Sequence, residues 1–145
     1  MSEFTILWIT FPLFIGFSVY LLPQAARLFT LGIPLLSTAY ATALFFRSAP
    51  LNLRLLDSFG VALWADQLSA WFILTNALVT AAVLFYCWNS PKSGFFYTQL
   101  IVLHGSVNAT FICADLISLY VALEVVGMTT FLLIAYPRTD RTLWV

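Results

Sequence analysis

Five stretches of this 145-residue sequence read as bilayer-crossing helices, and together they leave little chain for anything else. A spanning helix needs about 20 mainly apolar residues to cross about 30 Å of hydrocarbon. Runs that meet this need extend over residues about 4–22, 28–46, 68–88, 95–113 and 116–136. The sequence therefore predicts an all-α integral membrane fold, one membrane domain over residues 1–145 with five transmembrane helices. Composition agrees: mean hydropathy is +0.98, and only 8% of residues are charged, against roughly 25% in a soluble domain.

The first run carries Glu3 and no Lys or Arg on its N-terminal flank, the wrong flank for a secretory signal, so it reads as a retained helix. The second contains Gly32 and Pro34, which membrane helices tolerate, and a short turn near Arg27 makes the first two an antiparallel hairpin. The one longer connection, "RSAPLNLRLLDSFGVALWAD", alternates Leu51, Leu53 and Leu55 with Asn52 and Arg54. It then offers the turn sequence "DSFG". That pattern predicts a small β-hairpin at the membrane surface between helices 2 and 3. Arg27, Lys92, Arg138 and Arg141 fall at one set of span ends, and Arg47 and Arg54 at the other, which places the N-terminus outside and the C-terminus inside. After "YPRTDR" the chain turns apolar again at Leu143, as if a further helix were starting.

Charge and motif content exclude several functions. Six Lys plus Arg balance six Asp plus Glu, so no basic stripe is available for nucleic acid. Cys87 and Cys113 lie inside apolar runs without metal-ligand spacing, and read as core residues rather than disulfide or metal partners. Walker, GxSxG, HExxH and paired-histidine haem patterns are absent. No cofactor or metal is predicted, and no self-contained active site.

Polar residues inside the spans carry what chemistry there is. Glu124 is the ninth residue of the last run, roughly 13 Å deep and near the bilayer midplane. An ionised side chain there costs about 2.5–3.5 kcal/mol, so it must be neutral, paired or in a wet cavity. Helical spacing puts Tyr120, Gly127, Met128 and Phe131 on its face, and Gly127 would let another helix approach closely. Glu124 is thus a candidate proton-transfer or ion-pair residue; the simpler alternative is a protonated Glu bonding helices together. His104 and Asn108, one turn apart, form a polar stripe in the fourth run. His104 is a second candidate for proton transfer, although bonding across to a neighbouring helix is the simpler reading of the pair. Asp66 and Asp115 precede the third and fifth runs, where each would cap the helix that follows. Trp64, Trp71, Trp88 and Trp144 fall near span ends, as an aromatic belt requires.

The stretches "LWADQLSAWFILTNALVTAAVLFYCW" and "GFFYTQLIVLHGSVNATFICADLISLYVALEVVGMTTFLLIAY" resemble the N-terminal part of the antiporter-like subunits shared by Mrp-type cation/proton antiporters and the membrane arm of complex I. "ADQLSAWF" is similar to that family's entry to the third helix, with Gln67 where glycine is usual. "VNATFICADLISLYVALEV" is similar to its Asn-containing helix followed by "DL" and the glutamate helix, with Leu123 in place of the usual Trp or Phe. The likeness covers residues 51–136 and is nearer to the D-type subunit of Mrp antiporters. It implies that Glu124 is the family's intramembrane glutamate, which pairs with a lysine on a broken helix, and that the surface hairpin is the family's own. It also implies a subunit of a larger assembly, since no lysine occurs within these spans and Lys92 lies in a loop. The expected partners are other antiporter or complex I membrane subunits, the lipid bilayer, and protons with Na⁺ or K⁺; the expected location is a cell inner (plasma) membrane or a thylakoid membrane. Two further readings follow from the same residues: a proton-translocating subunit of an NAD(P)H–quinone oxidoreductase, and a truncated structural or assembly protein.

Overall fold

The computed structural model describes residues 2–21, 26–47, 49–54, 60–90 and 92–136. Among these, five helices and one two-stranded sheet are formed: α1 (Ser2–Leu21), α2 (Ala26–Phe45), β1 (Leu51–Arg54), β2 (Ala62–Ala65), α3 (Gln67–Tyr86), α4 (Gly94–Thr110) and α5 (Leu116–Ile134). Four of the helices, α1, α2, α3 and α5, are long and apolar enough to cross a membrane, and the chain is a multi-pass integral membrane protein.

The fourth helix departs from expectation. Its apolar run predicts a helix to residue 113, but α4 ends at Thr110, so its 17 residues span roughly 25 Å, less than a full hydrocarbon core. The reason lies in the residues that follow. Trp64 N donates to Ile112 O and Ala114 N donates to Ala62 O, both at 2.8 Å, so 112–114 lies as a short extra edge beside β2. Phe111–Cys113 are apolar enough to prolong a hydropathy run, yet the backbone here bonds to a strand.

The hairpin forms where the alternation of Leu51 and Leu53 with Asn52 and Arg54 predicts it, with Leu51 opposite Ala65 and Leu53 opposite Leu63. Leu55 and the turn residues Asp57, Ser58 and Phe59 lie outside the described residues, as do Arg138, Arg141, Leu143 and Trp144. Leu51, Leu63 and Ala65 are buried beneath the hairpin against Trp8, Tyr40, Leu44, Ile73 and Ile112. Trp8 stacks on Tyr40 with ring centres 4.1 Å apart. A second apolar cluster, including Val19, Ile33, Leu84, Tyr97 and Ile101, fills the other end of the bundle.

Two of the three main helix pairings join chain neighbours, and the third, α1 with α4, is made close by small residues. α1 packs mainly on α4 and α2 mainly on α3, while α5 leans on α4. A Cβ on Gly105 would stand 2.7 Å from Pro12 Cβ, and one on Gly16 would stand 3.0 Å from Val102 Cγ2, so these glycines set how close α1 and α4 come. Both predicted caps are formed: Asp66 accepts from Ser69 N at 2.8 Å and Asp115 from Ser118 N at 2.7 Å. The other carboxylate oxygen of Asp115 accepts from Ala62 N at 2.9 Å, tying the start of α5 to β2. Cys87 and Cys113 are free thiols, both half-buried.

Candidate functional site: a buried histidine hub and an exposed glutamate

Between the two apolar clusters, four helices each contribute a polar side chain to one buried group. Ser37 comes from α2, Asn76 and Thr80 from α3, and His104 and Asn108 from α4, while the Trp8 indole reaches in from α1. Hydroxyls inside a helix commonly bond their own preceding turn, as Thr38 does to Pro34 O and Ser106 to Val102 O. Ser37 and Thr80 face α4 instead and bond across to the imidazole.

The donors fix how the group is protonated. Asn76 Nδ2 donates to Asn108 Oδ1 at 2.8 Å and to His104 O at 3.1 Å. With its oxygen so engaged, Asn108 presents Nδ2 to His104 Nε2 at 3.0 Å and to Ser37 Oγ at 3.3 Å. His104 Nε2 therefore accepts, and Nδ1 carries the ring proton and donates to Thr80 Oγ1 at 2.8 Å. This tautomer is assigned from the hydrogen-bond pattern. Ser37 Oγ, which also accepts from Trp8 Nε1 at 3.3 Å, lies 2.9 Å from Nε2. A second proton on the ring would set an N–H against the Asn108 amide, and turning that amide over would set it against Asn76. The arrangement thus holds a neutral ring. Among the described residues, no buried side-chain polar atom lacks a partner.

Glu124 stands elsewhere. It lies on the exposed face of α5 with Tyr120, Gly127, Met128 and Phe131, the same face that helical spacing predicts. No hydrogen bond or ion pair reaches it from the described residues. Gly127 has nothing within 4 Å of where a Cβ would sit, so the surface beside Glu124 is open. Of α5, only Ala122 and Thr129 are buried. The two candidates named from sequence are therefore not brought together: His104 is enclosed by four helices, and Glu124 faces outward. Ser37, Asn76 and Thr80 were not singled out from sequence. Asn76 alone carries a visible signal, as an amide in the middle of an apolar run.

At the helix entrances the carboxylates are ionised. Hydrogen bonds from Ser118 N and then Ala62 N hold Asp115 below the ordinary carboxylate value, and a bond from Ser69 N does the same for Asp66. Among the described residues no group of three or more His, Cys, Asp or Glu side chains is placed to hold a metal ion.

No family model matches the chain. It is 29% identical over 85 residues to the D-type subunit of the Na⁺/H⁺ antiporter of Bacillus subtilis (strain 168), a match that covers 56% of this chain and 17% of that protein. Its fold is similar to that of a chain in the membrane-bound sulfane sulfur reductase (MBS), an archaeal respiratory membrane complex, with a TM-score of 0.85 and 21% identity. That likeness covers 99% of this chain and 32% of the other. The chain thus shares the five-helix fold with about a third of a respiratory-complex chain and spans less than a fifth of the curated relative it matches.

Proposed function

We propose that the chain is a membrane subunit, or part of one, of a monovalent cation/proton antiporter, in which Glu124 is the intramembrane proton and ion-pair residue. The observation that carries this reading is the position of Glu124, mid-span on α5, facing outward and unpartnered within the described residues. A carboxyl there needs a cation, a proton or water, and an ion-exchanging subunit uses all three in turn. The sequence likeness to the D-type antiporter protein of Bacillus subtilis supports the same reading. We assign ion handling to Glu124 and give His104 the role of holding helices together, because both of its ring nitrogens are already occupied. Further helices, of the same subunit or of its neighbours, supply the cationic partner and the rest of the ion path.

The test is Glu124→Gln in the assembled complex, with antiport followed by a pH-sensitive dye in everted vesicles. Activity should fall to background while the protein still inserts and assembles. Full antiport in that variant ends the proposal.

A second reading is the same relay driven by redox chemistry in a respiratory assembly, with which the fold likeness to a chain of a respiratory membrane complex is compatible. Purification of the native complex separates the two, since iron–sulfur and flavin subunits would accompany the chain only in the redox-driven assembly.

A further inference from the structure

At the hairpin end of the bundle, where α2 stops at Phe45 and α3 starts at Gln67, a cleft of about 320 Å³ opens between the two helix ends. Arg47, Trp64, Asp66, Gln67 and Leu68 line it, with Leu44 at its base. These helix ends lie where an aromatic and charged belt meets lipid headgroups.

The charges in the cleft are unusual because they do not satisfy each other. Arg47 is half-buried, and no ion pair joins it to Asp66 or to any other acid among the described residues. Asp66 caps α3, accepting from Ser69 N at 2.8 Å and Ser69 Oγ at 3.1 Å, and the Trp64 indole N–H also bonds its carboxylate; these donors are neutral, so its negative charge remains in the cleft wall. A simple anion drawn to Arg47 would meet this carboxylate, and a simple cation drawn to Asp66 would meet the guanidinium. A molecule carrying both charges a few atoms apart meets neither obstacle.

Beneath the cleft an apolar lane leads into the membrane. Leu68, Trp71, Phe72, Leu78 and Val79 follow each other along one side of α3 and are all exposed. Their spacing of three, four and seven residues makes them one stripe. A headgroup in the cleft would therefore carry its acyl chains along a surface made for them.

We propose that the cleft between the end of α2 and the start of α3 binds the headgroup of a zwitterionic aminophospholipid, its phosphate against Arg47 and its ammonium against Asp66 beside the Trp64 ring. Arginine suits the phosphate because its planar fork donates two hydrogen bonds to one oxyanion. An ammonium gains from the carboxylate, which the Trp64 indole N–H helps hold in place. This goes beyond the ion-exchange reading and does not depend on it, since none of these residues lies on the Glu124 face.

The test uses the whole chain, purified in detergent and titrated with short-chain phosphatidylethanolamine or phosphatidylglycerol. Glycerophosphoethanolamine and inorganic phosphate serve as lipid-free probes, and binding is read from tryptophan fluorescence. Phosphatidylethanolamine should bind about tenfold more tightly than phosphatidylglycerol, and Arg47→Gln should weaken both about tenfold. Asp66→Asn keeps a capping oxygen and should abolish the preference, lowering affinity for the ethanolamine lipid and raising it for the glycerol lipid. The lipid-free probes should bind much more weakly than either lipid. Equal wild-type affinity for the two lipids, unchanged binding in Arg47→Gln, or lipid-free probes that bind as well as the lipid would each overturn the proposal.

Discussion

Replacing His104 by phenylalanine keeps the bulk of the ring but removes both nitrogens, and three side chains lose a partner at once. Thr80 Oγ1 loses its 2.8 Å contact, Ser37 Oγ its 2.9 Å contact, and the Asn108 amide its 3.0 Å contact. Leaving a buried polar group unsatisfied costs roughly 1–3 kcal/mol. Bonds between membrane helices average nearer to about 0.6 kcal/mol each, because the separated helices find other partners. His104→Phe should therefore destabilise the chain by about 2 kcal/mol, seen as a lower midpoint of thermal unfolding in detergent. A variant as stable as wild type would show that the hub contributes nothing to holding α2, α3 and α4 together. Two of the six side chains in this hub were legible in the sequence. His104 and Asn108 stand one turn apart on a helix, which forces them onto one face, and a polar face in a span must meet protein or water. Their partners were not legible, because Ser37 and Thr80 have the composition of any helical hydroxyl, and nothing along the chain says that they bond across rather than back.

At the scale of elements, α4 is held by shape on one side and by a strand edge at its end. Gly105 meets the Pro12 ring with no room for a methyl group, since an added Cβ would lie 2.7 Å from Pro12 Cβ and 3.1 Å from Pro12 Cγ. The proline ring cannot rotate away, so Gly105→Ala must push α1 off α4 at a cost of about 1–3 kcal/mol. Unfolding midpoints of the variant and the parent measure this directly, and an unchanged midpoint would show that α1 shifts freely. The caps of α3 and α5 add a dependence on pH. Asp66 and Asp115 are both held below the ordinary carboxylate value of 3.8 by backbone donors. A depressed folded-state value means that their stabilisation is fully present above that ordinary value, and is lost as pH falls through the lower folded one. Thermal unfolding followed from pH 7 down to about pH 3 should show stability dropping below about pH 4, and the double variant Asp66→Asn, Asp115→Asn should flatten that drop. The caps and the hairpin were legible because Asp before an apolar run and alternating leucines have direct backbone consequences. The end of α4 was not, because Phe111, Ile112 and Cys113 are as apolar in a strand edge as in a helix. Only the position of β2, brought near by the fold, decides between the two.

For the whole molecule, the question is what faces α5. The helix leans on α4 and buries only Ala122 and Thr129, so most of its surface is turned outward. Tyr120, Leu123, Met128 and Phe131 suit a lipid-facing surface, but Glu124 in their midst does not. The sequence already placed Glu124 and Gly127 together on one side of the helix, because a helical period fixes which residues share a face. It could not say whether that side turns inward, since an apolar residue looks the same against lipid as against a neighbouring helix. Gly127→Leu separates these cases. Nothing lies within 4 Å of where the new Cβ would sit, so the chain by itself should fold at least as stably as the parent, with a gain of up to about 1 kcal/mol from replacing a mid-helix glycine. A leucine there would nonetheless hold off any helix that comes close enough to bring a cation to Glu124. If another subunit covers this face, Gly127→Leu should reduce co-purification of that subunit and lower antiport together, while Glu124→Gln lowers antiport and leaves assembly intact. Normal assembly and normal antiport in Gly127→Leu would mean that the face meets only lipid, and Glu124 would then have no cation to pair with from that side.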